Sequence, residues 1–362
     1  MDYNSSKVNC RRFYRLFLPS PRERAGGRGC FLLFFSLLSS LFSLAQDIHF
    51  TQFNFSPLNE NPANTNLFDG DMRFVGNFKN QWQSVPVAYN TASASMDMNF
   101  ATLKNHDRIG GGLVLYYDRA GDSHLTSVNA ALSFSYQLNF GRNDAHTICF
   151  GYQIGFVDRS FDYTKLFFDD QFNGDAFNPN INPNETFTKT NFVFLDMGTG
   201  LTYKWNKGIR KNLTAGFSID HFNSPGQSFY SDLSVKLAPR YNINVKGQFK
   251  ISARCDLVPE FLWQRQAAQQ EFVPGIHLKT YVEMKANTRI ALNTGAYYRI
   301  GDAPAAMVGM DYNNLQVNCS YDINSSGFTP ASRNNGGFEI SVIYIVSNIK
   351  KLGTNFANCP IF

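Results

Sequence analysis

Strict two-residue alternation, repeated along most of the chain, limits the possible fold more than any other feature. Val128, Ala130, Leu132, Phe134, Tyr136, Leu138 and Phe140 alternate with Asn129, Ala131, Ser133, Ser135, Gln137 and Asn139. The segments Ile148 to Phe156, Tyr241 to Ile251 and Leu315 to Ile323 repeat the pattern. Successive side chains of a strand point to opposite faces, so each segment has one apolar and one polar wall. Roughly ten-residue segments of this kind, divided by Gly, Asn, Asp and Pro turns, are the signature of a transmembrane β-barrel. Lipid cannot satisfy a sheet edge, so such strands must close on themselves. The 35 Phe and 17 Tyr residues suit aromatic girdles at the two membrane interfaces. A soluble β-sandwich also alternates, but it rarely combines an export signal with so many long strands.

The expected fold class is therefore all-β, a single antiparallel barrel of about 14 strands. The strands are expected to start near 71, 88, 108, 124, 145, 193, 211, 234, 254, 271, 288, 304, 315 and 336. Twelve strands remain if the segments near 88 and 304 do not form. Barrels have short periplasmic turns and longer external loops. The three longest connections, Asp158 to Asn191, Phe222 to Ser231 and Asn324 to Gly337, all follow odd-numbered strands. Tight turns such as Gly141-Arg-Asn-Asp144 and Asn313-Asn314 follow even-numbered ones, as that rule requires.

Residues 1–45 read as a secretory signal. Arg11, Arg12, Arg15, Arg22, Arg24 and Arg28 precede an apolar run from Phe31 to Leu44, with cleavage expected after Ala45. The run is shorter than the roughly twenty residues of a spanning helix. The residue directly after the cleavage point is Gln46 and not Cys, which argues against a lipid anchor. The basic lead is long, and translation is expected to start between Val8 and Leu18. Residues 46–70 then form an N-terminal periplasmic or luminal segment, 71–347 the barrel and 348–362 a tail.

The chain carries 33 basic and 28 acidic residues. Removing the seven basic and two acidic residues of the leader leaves 26 of each, so the mature part is neutral. The electrostatic case for a nucleic-acid partner disappears with the leader. Cys149, Cys255, Cys319 and Cys359 are too scattered for a disulfide framework, and one bridge at most is open. His49, His106, His124, His146, His221 and His277 are dispersed, and no HExxH, GxSxG or phosphate loop is present. No catalytic residue, metal site or cofactor is expected, and the chain reads as a non-enzyme.

Two surface segments stand out. Phe167, Phe168, Phe172 and Phe177 lie on a long loop where apolar residues call for packing at the barrel mouth or against a partner. Asp169, Asp170, Asn173 and Asp175 in the same loop are oxygen donors, but lack the spacing and terminal Glu of an EF-hand. The basic turn Lys204 to Lys211 falls on the periplasmic side, where lipid headgroups or an acidic protein are its natural neighbours.

The start of the mature chain adds a resemblance. Gln46-Asp47, an aromatic-rich stretch and Asn61-Pro62-Ala63 are followed by Phe78-Lys-Asn80-Gln81-Trp82 and Tyr89 to Asp97. With Tyr297-Tyr-Arg-Ile-Gly-Asp302, Cys319-Ser-Tyr-Asp322 and the Cys359-Pro tail, this order resembles the PorP/SprF family. Lys79 stands where Arg is usual, and Asn64-Thr-Asn66 replaces a small Tyr-Ala-Gly turn. The resemblance implies an outer-membrane component of type IX protein secretion in Bacteroidetes, associated in gliding species with adhesin export. It implies as partners a secreted adhesin or other substrate, and subunits of the periplasmic secretion ring, besides outer-membrane lipid. On the residues alone, Asn61-Pro62 is a turn leading into the first strand. The alternative is that residues 46–70 close the lumen. Trp82 is either a girdle anchor or part of a docking edge. Anchoring a secreted protein competes with a second reading, a solute-conducting porin or transporter. A soluble secreted carbohydrate-binding or hydrolytic protein is the third, and salt or alkali would extract it from membranes.

Overall fold

In the computed structural model, residues 47, 49–81, 89–172, 174–178, 180–208, 210–285, 288–325 and 335–347 are described. The expected leader, Trp82, Asn173 and Cys359 lie outside these residues. Fourteen strands follow one another: β1 (Met72–Gln81), β2 (Tyr89–Thr102), β3 (Arg108–Ala120), β4 (Leu125–Phe140), β5 (His146–Ser160), β6 (Asn191–Asn206) and β7 (Lys211–Asp220). The second half comprises β8 (Arg240–Lys250), β9 (Cys255–Gln266), β10 (Gln269–Met284), β11 (Arg289–Arg299), β12 (Ala303–Tyr312), β13 (Leu315–Ile323) and β14 (Asn335–Val346). Each pairs antiparallel with its sequence neighbours, and β1 pairs with β14 to close the barrel. Closure removes the unpaired edges that hydrocarbon would punish. Among the described residues no helix is long and apolar enough to cross a membrane; the strands are the crossing elements.

The alternation resolves into two walls. In β4, Leu132, Phe134, Tyr136 and Leu138 point outward, while Asn129, Ser133, Ser135 and Gln137 are buried in the lumen. β8 turns Tyr241 and Ile243 outward and buries Asn242 and Asn244. β13 buries Asn318, Ser320 and Asp322. The usual globular order is inverted: the apolar wall faces lipid and the polar wall is the core.

Most strands start within two residues of the expected positions. The eighth differs, starting at Arg240 rather than near 234. Val235 and Leu237 mimic strand alternation, but Pro239 has no N–H for a ladder. That segment instead pairs with its own loop, through the bridge Gly226–Lys236 and the bonds Gln227 N to Val235 O and Leu237 N to Pro225 O. The two longest connections, after β5 and β7, lie at the barrel end opposite Met72 and Val346. By the loop-length rule that end is external and the end with both strand termini periplasmic. Cys149, Cys255 and Cys319 are free thiols.

Candidate functional site

The lumen is occupied by the chain's own N-terminal segment. It begins at the external mouth with Asp47, runs through a short helix α1 (Pro57–Glu60), and reaches β1 at the periplasmic end. Fourteen strands enclose a lumen wider than side chains alone fill, so a segment or water must complete it. This segment is built for the task. Pro57 starts α1, where a missing N–H costs nothing, and Asn61 ends it with extended backbone. Asn61 Oδ1 accepts from Ala63 N at 2.9 Å, which caps the next turn, Pro62–Asn64.

The barrel wall meets the segment's polar groups nearly all the way round. The Glu339 carboxylate of β14 accepts from the N–H groups of Thr51 (2.8 Å) and Gln52 (2.9 Å). Gln52 donates to Ser320 Oγ, and Thr51 Oγ1 to Asp322. Asn77 donates to Phe55 O, and Lys79 Nζ to His49 O. Ser218 and Asn242 donate to Glu60 O, and Ser135 to Thr65 O. Between Phe53 and Asn66 the side chains of Phe53, Phe55, Leu58, Asn61, Ala63 and Thr65 are buried.

Close approach is possible because the wall there is glycine. A Cβ on Gly151 would fall on the Ala63 backbone, and one on Gly200 on the Asn61 side chain. Near the periplasmic end, Arg73 forms a two-pronged pair with Asp97, Nε to Oδ1 at 2.9 Å and Nη2 to Oδ2 at 2.7 Å. The same carboxylate accepts from Asn66 N, and Arg73 also donates to Asn64 O. Asn66 adopts a left-handed backbone (φ 61°), which an Asn tolerates better than most residues.

At the external mouth a second polar knot holds the segment's first described residue. Asp47 Oδ2 lies 2.5 Å from His221 Nε2, whose Nδ1 lies 2.7 Å from Asp196 Oδ1. Gln266 Nε2 donates to Asp47, and Arg159 stands 3.8 Å away. His221 has φ 56°, in the left-handed region that His enters more readily than most residues. Burial alone would push His221 toward its neutral form; the Asp47 and Asp196 carboxylates more than reverse this and hold its pKa up at about 10. Burial likewise opposes ionisation of Asp47, yet His221, Arg240 and Arg159 hold its carboxyl well below the usual range. His221 and Asp47 are therefore both ionised at neutral pH.

Glu60 behaves oppositely. It is buried in the lumen, its Oε1 has no hydrogen-bond partner among the described residues, and burial, reinforced by Glu260 and opposed by Lys246, raises its pKa to about 8. A carboxyl that prefers to stay protonated in the seated segment stabilises seating fully below its ordinary pKa of 4.5, and that contribution is lost as pH rises through about 8. Protection of the segment from protease or amide exchange is therefore expected to be stronger at pH 5 than at pH 8. Glu60→Gln should flatten that difference, and an unchanged pH dependence in the variant would exclude Glu60 as its source.

The residues singled out in the sequence fall into separate places. Asn61, Pro62 and Ala63 are buried in the lumen against β5, β6 and β7, with Asn61 Nδ2 3.2 Å from Thr202 Oγ1. Asn80 donates to Asn90 of β2, and Gln81 ends β1. In the β5–β6 loop, Phe168 packs with Tyr163 and Phe187, and Phe187 in turn with Phe161 and Tyr230 of the β7–β8 loop. Phe167 meets Phe177 edge-on at 5.2 Å, yet Phe167 and Phe172 remain 66% and 54% exposed. Asp170 accepts from Asn184 N within its loop. Among the described residues no three metal-ligating side chains stand together.

Neither the Asp47–His221–Asp196 knot nor the Arg73–Asp97 pair was legible in the sequence. Their members are far apart in the chain, and inward polar residues look alike until the register brings them together. The one available signal was Asp97 itself, a lone acid on the polar face of a strand otherwise lined inward by Ser and Thr.

Comparison with known proteins gives one family. Residues 42–344 match the family described as "Type IX secretion system membrane protein PorP/SprF". No curated protein matches the sequence. Among solved structures the chain is similar to the toluene transporter TodX of Pseudomonas putida, at 11% identity over 80% of this chain and 92% of that one, with TM-score 0.45. A FadL homologue of Pseudomonas aeruginosa matches at 11% identity over 78% and 92%, with TM-score 0.41. BamA from Haemophilus ducreyi lacking POTRA domains 1-3 matches at 9% over 76% and 70%, with TM-score 0.39. Likeness at this level says nothing about what the barrel carries.

Proposed function

The chain belongs to the PorP/SprF family of type IX secretion system membrane proteins, and from that premise we propose that it is a non-enzymatic anchor holding a secreted surface protein at the cell exterior. It is an outer-membrane β-barrel, its apolar wall facing lipid. What favours anchoring over solute passage is the filled lumen: the segment from Asp47 to Gly70 is bonded to the wall from one mouth to the other. A conduit needs continuous open space, whereas an anchor gains rigidity from a filled core. The exposed rings of Phe167, Phe172 and Phe177 on the external loop supply an apolar surface of the kind that partners cover. Asn61, Pro62 and Ala63 serve this role indirectly, by seating the segment.

The reading is tested on cells. Deleting the gene should leave one or a few surface proteins unsecreted or unattached, and a tagged barrel extracted in mild detergent should bring a large secreted protein or secretion-ring subunits with it. A normal surface proteome in the deletion strain would remove the proposal. Phe167→Ser with Phe172→Ser should release the held protein while leaving the barrel folded, because neither ring is buried.

A further inference from the structure

The neutral mature chain is strongly polarised between its two ends. Taking each connection with its flanking strand residues, the periplasmic turns carry ten basic residues against two acidic ones. The external connections carry six basic against nine acidic. Several periplasmic cations are already neutralised or engaged: Arg210 by Asp256, Lys285 by Glu283, Arg289 by the Tyr281 hydroxyl. Lys104, Arg142, Lys207, Lys211, Lys250 and Arg254 are exposed, and among the described residues none has a carboxylate at ion-pair distance. Arg142, Lys207 and Lys211 are the ones that share a sector with a run of outward aromatic rings. Asp144, the nearest acid in sequence to Arg142, is taken by His106 at 3.0 Å.

These three cations border the lipid-facing wall of one sector, β4 to β7. Phe140, His146 and Trp205 are direct partners across β4, β5 and β6, and Trp205 pairs onward with Leu213 of β7. Phe140 stacks on His146 at 5.3 Å, and His146 on Tyr203 at 6.1 Å. The Tyr203 hydroxyl lies 2.7 Å from His146 Nδ1. Lys211 belongs to the same outward face, its Nζ 5.9 Å from the Trp205 ring centroid. Lys207 and Lys211 close the β6–β7 turn, Lys207 N donating to Lys211 O at 2.8 Å.

We propose that this sector binds an anionic phospholipid of the periplasmic leaflet, its phosphate held by Arg142, Lys207 and Lys211 and its glycerol region lying on Trp205 and Tyr203. The occupant follows from position. The cations adjoin rings that face acyl chains, which a lipid headgroup meets in the membrane plane and a protein in the aqueous periplasm does not. Aromatic rings sit at headgroup level, and uncompensated Lys and Arg beside them attract negative headgroups. The site does not depend on which protein the external loops hold.

The experiment uses the full barrel, delipidated and presented in detergent with equal phosphatidylglycerol and phosphatidylcholine, with bound lipid counted by native mass spectrometry. Phosphatidylglycerol should be retained preferentially, and Arg142→Gln with Lys207→Gln and Lys211→Gln should cut that preference roughly tenfold or more. Lys189→Gln with Lys236→Gln, on the external loops, should leave it intact. Equal retention of the two lipids by the wild-type barrel would overturn the proposal without needing any variant. So would a preference that survives the triple substitution. Binding of polyglutamate through the same three cations, with no lipid preference, would overturn it in favour of an acidic protein partner.

Discussion

A chain lacking residues 47–66 should fold into the same barrel and pass steady ohmic current in a planar bilayer, where the intact protein is silent. Every strand pair, including the β1–β14 closure, is made without those residues. The lumen groups they satisfy, among them Ser133, Ser218, Asn242 and Glu339, are left facing a cavity that water can fill. A buried polar group is costly when it is dry and unpaired, much less so when hydrated. Removal therefore exchanges a filled core for a channel instead of collapsing the fold. Heat-dependent gel mobility reports the barrel, and single-channel recording the lumen. A folded but silent truncation would mean that other groups close the lumen, and current through the intact protein would move the functional reading to solute transport.

Arg73→Ala should produce the largest single-residue loss of stability. Asp97 is wholly buried, and its carboxylate has Arg73 as its one cationic partner at ion-pair distance among the described residues. Breaking a buried pair from one side typically costs about 3–5 kcal/mol, because the remaining charge is stranded. The midpoint of urea unfolding, followed by tryptophan fluorescence in lipid vesicles, should fall accordingly. Arg73→Ala combined with Asp97→Ala should recover part of the loss. Equal stability of Arg73→Ala and the parent would show that water reaches Asp97 and that the pair contributes little.

The barrel was legible because lipid imposes a rule on each strand separately. Leu132 and Phe134 must face out whatever their neighbours do, so alternation in a ten-residue stretch already carries the architecture. The luminal site follows no such local rule. Ser133 and Asn242 read only as inward and polar, and nothing in their own segments says that they meet Thr65 and Glu60. Gly151 and Gly200 read as small inward residues, whereas their role is the space they leave for Ala63 and Asn61. The false strand near 234 failed for the complementary reason. Val235 and Leu237 obey the alternation, but Pro239 withholds the hydrogen bond and the loop pairs with itself.

The bonds from Thr51 and Gln52 to Glu339 join positions 287 and 288 residues apart, the longest sequence separations among the luminal hydrogen bonds. They give the seated segment a place in the order of folding. Contacts of such separation form late, because all the intervening chain must be ordered first. Once β1 and β14 have zipped, a segment tethered to β1 and carrying buried rings has no wide opening to enter by. It must already lie among the strands when the seam shuts, as a mandrel around which the last strand is wrapped. Glu339 on that last strand then recognises two amides that only a correctly laid core presents. Seating is thereby conditional on timing: a segment left outside when the seam shuts stays outside, and the barrel closes around water instead.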